Sequence, residues 1–255
     1  MSRTKEIRIY IIGGTAGMGK WFADFLGSKG CHVRVSGKGE EASIPVLAEW
    51  ADVAVVAVPI HVTLETITKV GPHMRHDDLL MDLTSLKAEP VRRMVECSHS
   101  EIIGVHPLFG PAVESPKGEN VVLCPARGRS WLQWVRKLFS EEGMHLVEAS
   151  PEKHDEMMAY VQALTHLATV AMGLSLRDSG LEQEELLKFS TPAFRSRMDA
   201  VEKVFGENPR LYGDIMAFNP HSASIGKMFQ RNVSRLLDFI GQKDAEGITS
   251  RIKKS

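Results

Sequence analysis

An α/β protein, with an N-terminal doubly wound sheet and a C-terminal all-helical domain, is what this sequence predicts. Three observations predict it. A strand, a glycine turn, a helix and a second strand fill the first forty residues. Apolar runs of strand length then recur as far as about residue 150. From Glu152 onward only helical spacing remains.

The elements follow in order. Ile7–Ile12 is rich in β-branched residues and reads as a strand. It breaks into the turn Gly13–Gly19, and Lys20–Leu26 reads as an amphipathic helix. His32–Val35 is the second strand. Ala51–Val58 is a nearly continuous apolar run stopped by Pro59, the pattern of a strand buried on both faces of a parallel sheet. Leu79–Leu83, Ile102–Val105 and Val121–Pro125 are further strands. His145–Glu148 is the last, after a helix near Ser130–Glu142. Strands and helices alternating at this spacing imply a doubly wound sheet. Beyond Ser150-Pro151, helical spacing covers Glu152–Ser179, Gln183–Lys188, Thr191–Phe205, Pro209–Asn219 and Ser222–Gly241. Pro151, Pro192, Pro209 and Pro220 fall where helices start or are interrupted. The tail Arg251–Ser255 is expected to be a frayed, solvated end. A domain boundary is therefore expected at 150, giving an α/β domain over 1–150 and a helical domain over 151–255.

Composition narrows the class. Of 255 residues, 43% are apolar and 25% charged, which is ordinary for a soluble globular chain. A net charge of −1 lacks the basic excess of a general nucleic-acid or membrane-surface binder. The longest apolar runs, Ile7–Ile12 and Val53–Ile60, fall well short of the ~20 residues that span a bilayer. Neither nucleic acid nor membrane is an expected partner. Met1–Glu6 runs straight into a strand, so no signal peptide is expected. Cys31, Cys97 and Cys124 are odd in number and far apart, with neither metal spacing nor a disulfide framework. That usage fits a reducing cytoplasm.

The glycine turn carries the first chemical expectation. A strand entering it and a helix leaving it form the unit that lays a pyrophosphate on a helix N-terminus, so 1–150 reads as a Rossmann-type dinucleotide-binding domain. The expected cofactor contacts are Gly14, Thr15, Ala16, Gly17, Met18 and Gly19, with Val58 and Pro59 at a neighbouring strand end. Gly14 is assigned the tight turn and Gly19 the close helix packing. Ala16 occupies the middle position of the G-x-G-x-x-G frame, where its methyl hinders the closest backbone approach, and Gly17 beside it offers the relief. At the end of the second strand no carboxylate appears before Glu40. Ser36 and Lys38 there suit a 2′-phosphate better than a 2′-hydroxyl, so NADP is expected over the alternative, NAD.

The substrate side should lie beyond the carboxyl ends of the strands. Thr84 and Ser85 follow one strand, where they either serve the site or cap the next helix. His106, fixed by Pro107, follows another and is placed to accept a proton near neutral pH.

These stretches together resemble the prephenate dehydrogenases in their compact archaeal-type form. The likeness rests on Gly13–Gly19 with Trp21-Phe22-Ala23, on Val58-Pro59, on Asp82-Leu83-Thr84-Ser85-Leu86-Lys87 and on Gly104–Pro111. It continues in Val161–His166, Thr191–Arg195 and Asn208–Tyr212. The motifs keep the family's order over roughly residues 7 to 240. The resemblance implies oxidative decarboxylation of prephenate to 4-hydroxyphenylpyruvate in tyrosine biosynthesis. By the same resemblance His106 accepts the ring-hydroxyl proton, and Ser85 bonds that hydroxyl or orients the imidazole. Thr84 and His166 line the substrate pocket, and Arg195 pairs with a substrate carboxylate, with Arg197 as the substitute. A homodimer through the helical domain is the default. No ~80-residue segment for a fused chorismate mutase is expected. The competing readings are arogenate dehydrogenase, a deazaflavin-dependent NADP reductase and an NADP-binding redox sensor without turnover. The His-Pro strand end and the Phe194-Arg195 segment count against the reductase.

Overall fold

The structure is a computed structural model that describes residues 6–253. Met1–Lys5 and the last two residues, Lys254 and Ser255, lie outside the described residues. The chain divides into two compact units, Met1–Asp155 and Glu156–Ser255.

The first unit is built on one seven-stranded sheet of order β2-β1-β3-β4-β5-β6-β7. Its strands are β1 (Arg8–Ile12), β2 (His32–Ser36), β3 (Val53–Val56), β4 (Leu79–Asp82), β5 (Glu101–Pro107), β6 (Asn120–Arg127) and β7 (His145–Glu148). All neighbours pair in parallel except β5 and β6. The exception has a local cause. The segment between β5 and β6 carries Gly110, Pro111, Pro116 and Gly118 and forms no crossover helix, so β6 must return beside β5.

Helices α1 (Gly17–Ser28) and α5 (Ser130–Ser140) cover one face of the sheet. Their Phe22, Phe25, Leu26, Leu132, Val135 and Phe139 pack with Ile9, Ile11, Val55 and Met81. Helices α2 (Ile44–Trp50), α3 (Ile60–Val70) and α4 (Ala88–Cys97) cover the other. There Ile44, Ala48, Ile67, Val91 and Met94 pack with Tyr10, Ala54, Val56 and Leu80. Burial on both faces explains why β3 and β4 read as unbroken apolar runs rather than alternating ones.

The second unit is helical: α7 (Thr165–Asp178), α8 (Gln183–Lys188), α9 (Pro192–Gly206), α10 (Pro209–Phe218), α11 (Ser222–Gly241) and α12 (Ala245–Lys253). Two of them, α9 and α10, begin where the prolines and capping side chains predict. The Thr191 hydroxyl accepts from Phe194 N–H at 3.2 Å and the Asn208 side-chain Oδ1 from Leu211 N–H at 3.1 Å, each with proline at the first helical position. Residues Arg251–Lys253, expected to fray, form the last turn of α12 instead. The segment Pro151–Asp178 runs as one helix of 28 residues, in which α6 (Pro151–Met158) passes through a π-helical stretch, Ala159–Leu164, into α7. By length and composition alone that helix could cross a bilayer. No uninterrupted apolar run marks it, because Gln162, Thr165, His166 and Thr169 fall among its apolar residues.

Candidate active site

The register of the sheet aligns its functional edge. Ile12, Val56, Asp82 and Gly104 lie in one row across β1, β3, β4 and β5. The glycine turn, Val58-Pro59 and Thr84-Ser85 all follow that row, beyond the carboxyl ends of their strands. His106, expected to follow its strand, instead lies two residues past the row within β5, opposite Val122 of β6, because the antiparallel pairing with β6 carries β5 on to Pro107. The sheet order reverses between β1 and β3, the point at which such sheets bind ligands.

At the end of β1, Gly13 adopts φ +85° and Gly17 φ +54°, backbone positions that L side chains rarely take. The tight turn expected at Gly14 is thus made at Gly13. Gly14 is required for another reason, since a Cβ there would meet Val35 at 2.6 Å. Gly19 does hold α1 close: its Cβ would stand 2.2 Å from the Gly13 carbonyl oxygen. Val58 packs on this turn as well, with its Cγ1 3.1 Å from where a Gly13 Cβ would be. Thr15, Ala16 and Gly17 are exposed, and a Cβ on Gly17 would meet nothing within 4 Å. Ala16 sits at the N-cap in extended conformation, and neither a side-chain cap nor an acidic residue occupies the first turn of α1. Free amides, open space and no competing carboxylate fit a pyrophosphate.

The ribose-reading positions differ from expectation. Ser36 is buried, and its hydroxyl lies 2.6 Å from the Tyr10 hydroxyl, inside the sheet's covered face. The nearby Arg34 guanidinium lies over the Trp50 ring at 4.3 Å. Lys38 stays exposed. Glu40 folds back to accept from Gly37 N–H at 2.6 Å, which places a carboxylate in the same loop.

Beyond β4 and β5 lies a buried polar cluster. Lys87 and Asp82 are both fully buried and form an ion pair. Gly104 makes room for it, since a Cβ there would stand 2.9 Å from Lys87 Cδ. Thr84 is committed to this pair: its amide reaches Asp82 Oδ2 at 3.1 Å, and its hydroxyl lies 2.6 Å from that oxygen and 2.7 Å from the Leu86 carbonyl. It therefore braces the cluster rather than facing a ligand as expected. Ser85 is half-buried and makes no side-chain hydrogen bond among the described residues.

His106 is 3% exposed. Its Nδ1 lies 2.8 Å from His154 Nε2, so His154, not Ser85, holds the imidazole. His154 Nδ1 lies 2.8 Å from Asp155 Oδ1. Burial, reinforced by His154 and by the Lys87 charge, holds the His106 pKa well below its ordinary value. Burial lowers His154 too, opposed by its bond to Asp155. A buried imidazole that stays neutral at pH 7 can accept a proton. The loop after His106 is anchored from α1: Phe109 packs edge-on against Trp21 at 5.1 Å, and Trp21 Nε1 donates to the Val113 carbonyl at 3.2 Å.

His154 and Asp155 escaped the sequence reading. A His-Asp pair is a poor signal by itself, since His76-Asp77 repeats it on a fully solvated turn. Only the fold separates the two.

In the second unit His166 is half-buried on α7, edge-on to Tyr212 of α10 at 4.8 Å, and burial lowers its pKa. One turn earlier, in the π-helical stretch, Gln162 Oε1 is buried without a hydrogen-bond partner among the described residues. Arg195 is exposed on α9, its guanidinium donating to the Ser190 hydroxyl at 2.9 Å. Arg197 is exposed as well. Among the described residues no group of three or more His, Cys, Asp or Glu side chains is arranged to hold a metal ion.

Comparison with known proteins follows the same division. Residues 31–148 match a family model described as prephenate dehydrogenase, nucleotide-binding domain, and residues 150–254 one described as prephenate dehydrogenase, dimerization domain. The chain is 34% identical to a probable arogenate/prephenate dehydrogenase of Methanocaldococcus jannaschii, over 99% of this chain and 61% of that protein. It is 30% identical to the T-protein of Haemophilus influenzae, over 97% of this chain and 66% of that protein. It thus spans about three fifths to two thirds of these relatives' lengths. The fold is similar to that of the A. aeolicus prephenate dehydrogenase solved with hydroxyphenyl propionate and NAD+, with a TM-score of 0.78 at 19% identity, covering 100% of this chain and 97% of that one.

Proposed function

The chain belongs to the prephenate dehydrogenase family, and from that premise we propose that it oxidatively decarboxylates prephenate. It has a nucleotide-binding domain, and the nicotinamide cofactor supplies a hydride acceptor when bound. The protein's own task is to hold the ring and take its hydroxyl proton. The observation that carries the reading is His106: neutral by burial, held at Nδ1, and set in the carboxyl-terminal end of β5, on the edge that carries the glycine turn. Loss of that proton raises electron density on the carbon that gives up hydride, and aromatisation follows release of carbon dioxide. The free Ser85 hydroxyl is left to bond the substrate hydroxyl. Arg195 binds a substrate carboxylate, for which a planar guanidinium is suited. His166 is assigned to substrate binding on the family likeness alone.

Arogenate is the second substrate reading, since the M. jannaschii relative carries both names. For the cofactor we take NADP, on Lys38. The support is narrower than the sequence implied, because Ser36 has turned inward. Glu40 favours NAD, since its carboxylate lies in the loop where a ribose hydroxyl is read.

The helical unit serves as the homodimer interface. On α11 only Ile225 is buried, whereas Val233, Leu236, Leu237 and Ile240 are 38–59% exposed. An apolar face of that kind marks a protein partner. Three free cysteines suit the reducing cytoplasm.

The deciding experiment mixes the protein with prephenate or arogenate and with NADP or NAD, and follows reduced-nicotinamide absorbance. Turnover with prephenate and a lower Michaelis constant for NADP are expected. No turnover with either acid overturns the enzyme reading. Preference for arogenate or NAD replaces the corresponding half of the proposal.

A further inference from the structure

We propose that His154 and Asp155 are positioning residues that set the tautomer of His106, so that its Nε2 carries the lone pair offered to substrate. Asp155 Oδ1 lies 2.8 Å from Lys87 N and Oδ2 lies 3.0 Å from Ala88 N, the amides at the start of α4. Oδ1 also lies 2.8 Å from His154 Nδ1. An ionised carboxylate only accepts, so the hydrogen in that contact belongs to His154 Nδ1. His154 is 1% exposed and neutral, so its Nε2 holds a lone pair. That lone pair faces His106 Nδ1 at 2.8 Å and requires the hydrogen there. The remaining nitrogen of His106, Nε2, is left unprotonated, and it takes no hydrogen bond from the described residues.

The same chain stabilises the product of proton transfer. When Nε2 takes the substrate's hydroxyl proton, the imidazolium keeps its Nδ1–H on His154, whose own N–H points to Asp155. The charge acting on His106 is Lys87, already paired with Asp82, and the carboxylate bonded to its partner His154 is Asp155. Cys124, its thiol pushed up to about 12, stays neutral. Asp155 is the carboxylate joined to the new positive charge through the His154 hydrogen bond. A purely structural role for His154 would need neither the acceptor order nor the carboxylate.

The inference rests on His106 being the base, but its first test needs no substrate. Nitrogen-15 NMR of the histidine-labelled protein, with His106→Asn to identify the signals, reads which ring nitrogen bears hydrogen. Hydrogen on His106 Nδ1 is expected; hydrogen on Nε2 overturns the proposal whether or not the protein turns over prephenate. In Asp155→Asn the amide can donate to His154 and reverse the order of the chain. The expected result is a kcat lower by ~100-fold or more, with KM for both substrates within twofold, because a wrong tautomer costs rate rather than binding. His154→Gln can both accept from His106 and donate to Asp155, so it should retain at least tenfold more kcat than His154→Leu. A kcat within threefold of the parent in a folded Asp155→Asn protein, or equal losses in the two His154 variants, overturns the relay. If Asp155→Asn fails to fold, the NMR result and the His154 pair decide.

Discussion

His106 illustrates how much a single position owes to its surroundings. Ten histidines occur in the chain, and composition treats them alike. Burial, His154 and Lys87 hold this one as a neutral imidazole. Replacing it with asparagine should lower kcat by ~10²–10⁴-fold while KM for prephenate changes little, as steady-state kinetics would report. The same burial gives a stability signature. His106 and His154 have lowered pKa values in the folded chain, so below about 6.5 the unfolded chain binds more protons. Stability should therefore be complete above that pH and fall as the pH drops beneath it. Urea midpoints at pH 7.5 and 5.5 measure this, and His106→Asn should shrink the difference. Lys87 makes a different prediction. Lys87→Met leaves Asp82 buried without its counter-charge and should cost ~3–5 kcal/mol in denaturant unfolding.

At the scale of elements, the turn between β1 and α1 is decided by contact distances more than by flexibility. Gly19 sits where a Cβ would strike the Gly13 carbonyl oxygen at 2.2 Å. Gly19→Ala should push α1 off the turn, cost ~1–3 kcal/mol and weaken binding of the nicotinamide cofactor, read by thermal unfolding and by a fluorescence titration. The start of α4 shows a second coupling. Its first amides are satisfied by Asp155, 67 and 68 residues away in sequence, so this helix start also anchors the His154 contact. No local pattern could have announced that bond. The strand ends were legible because proline, glycine and β-branched runs act locally. The partners of Ser36 and Thr84 were not, because their hydroxyls were free to turn inward or outward until Tyr10 and Asp82 were placed beside them.

At the scale of the molecule, the helical unit leaves apolar surface uncovered. Phe189 is 85% exposed and Leu237 59%. The 28-residue helix has only 22% of its most apolar window buried. Sedimentation in detergent-free buffer should give the mass of two chains, and Leu237→Asp should shift the protein toward one. A monomer in the parent protein at micromolar concentration would remove the dimer assignment.

The sequence by itself determined the α/β sheet, the helical second half, the glycine turn and the candidacy of His106, because each is written in short-range periodicity or in a compact motif. Tertiary structure alone decided that β6 runs backward, that Ser36 faces Tyr10, that Thr84 braces a buried ion pair, and that His154 stands between Asp155 and His106. Those outcomes depend on which distant groups share a low-dielectric interior, where every buried donor must find an acceptor.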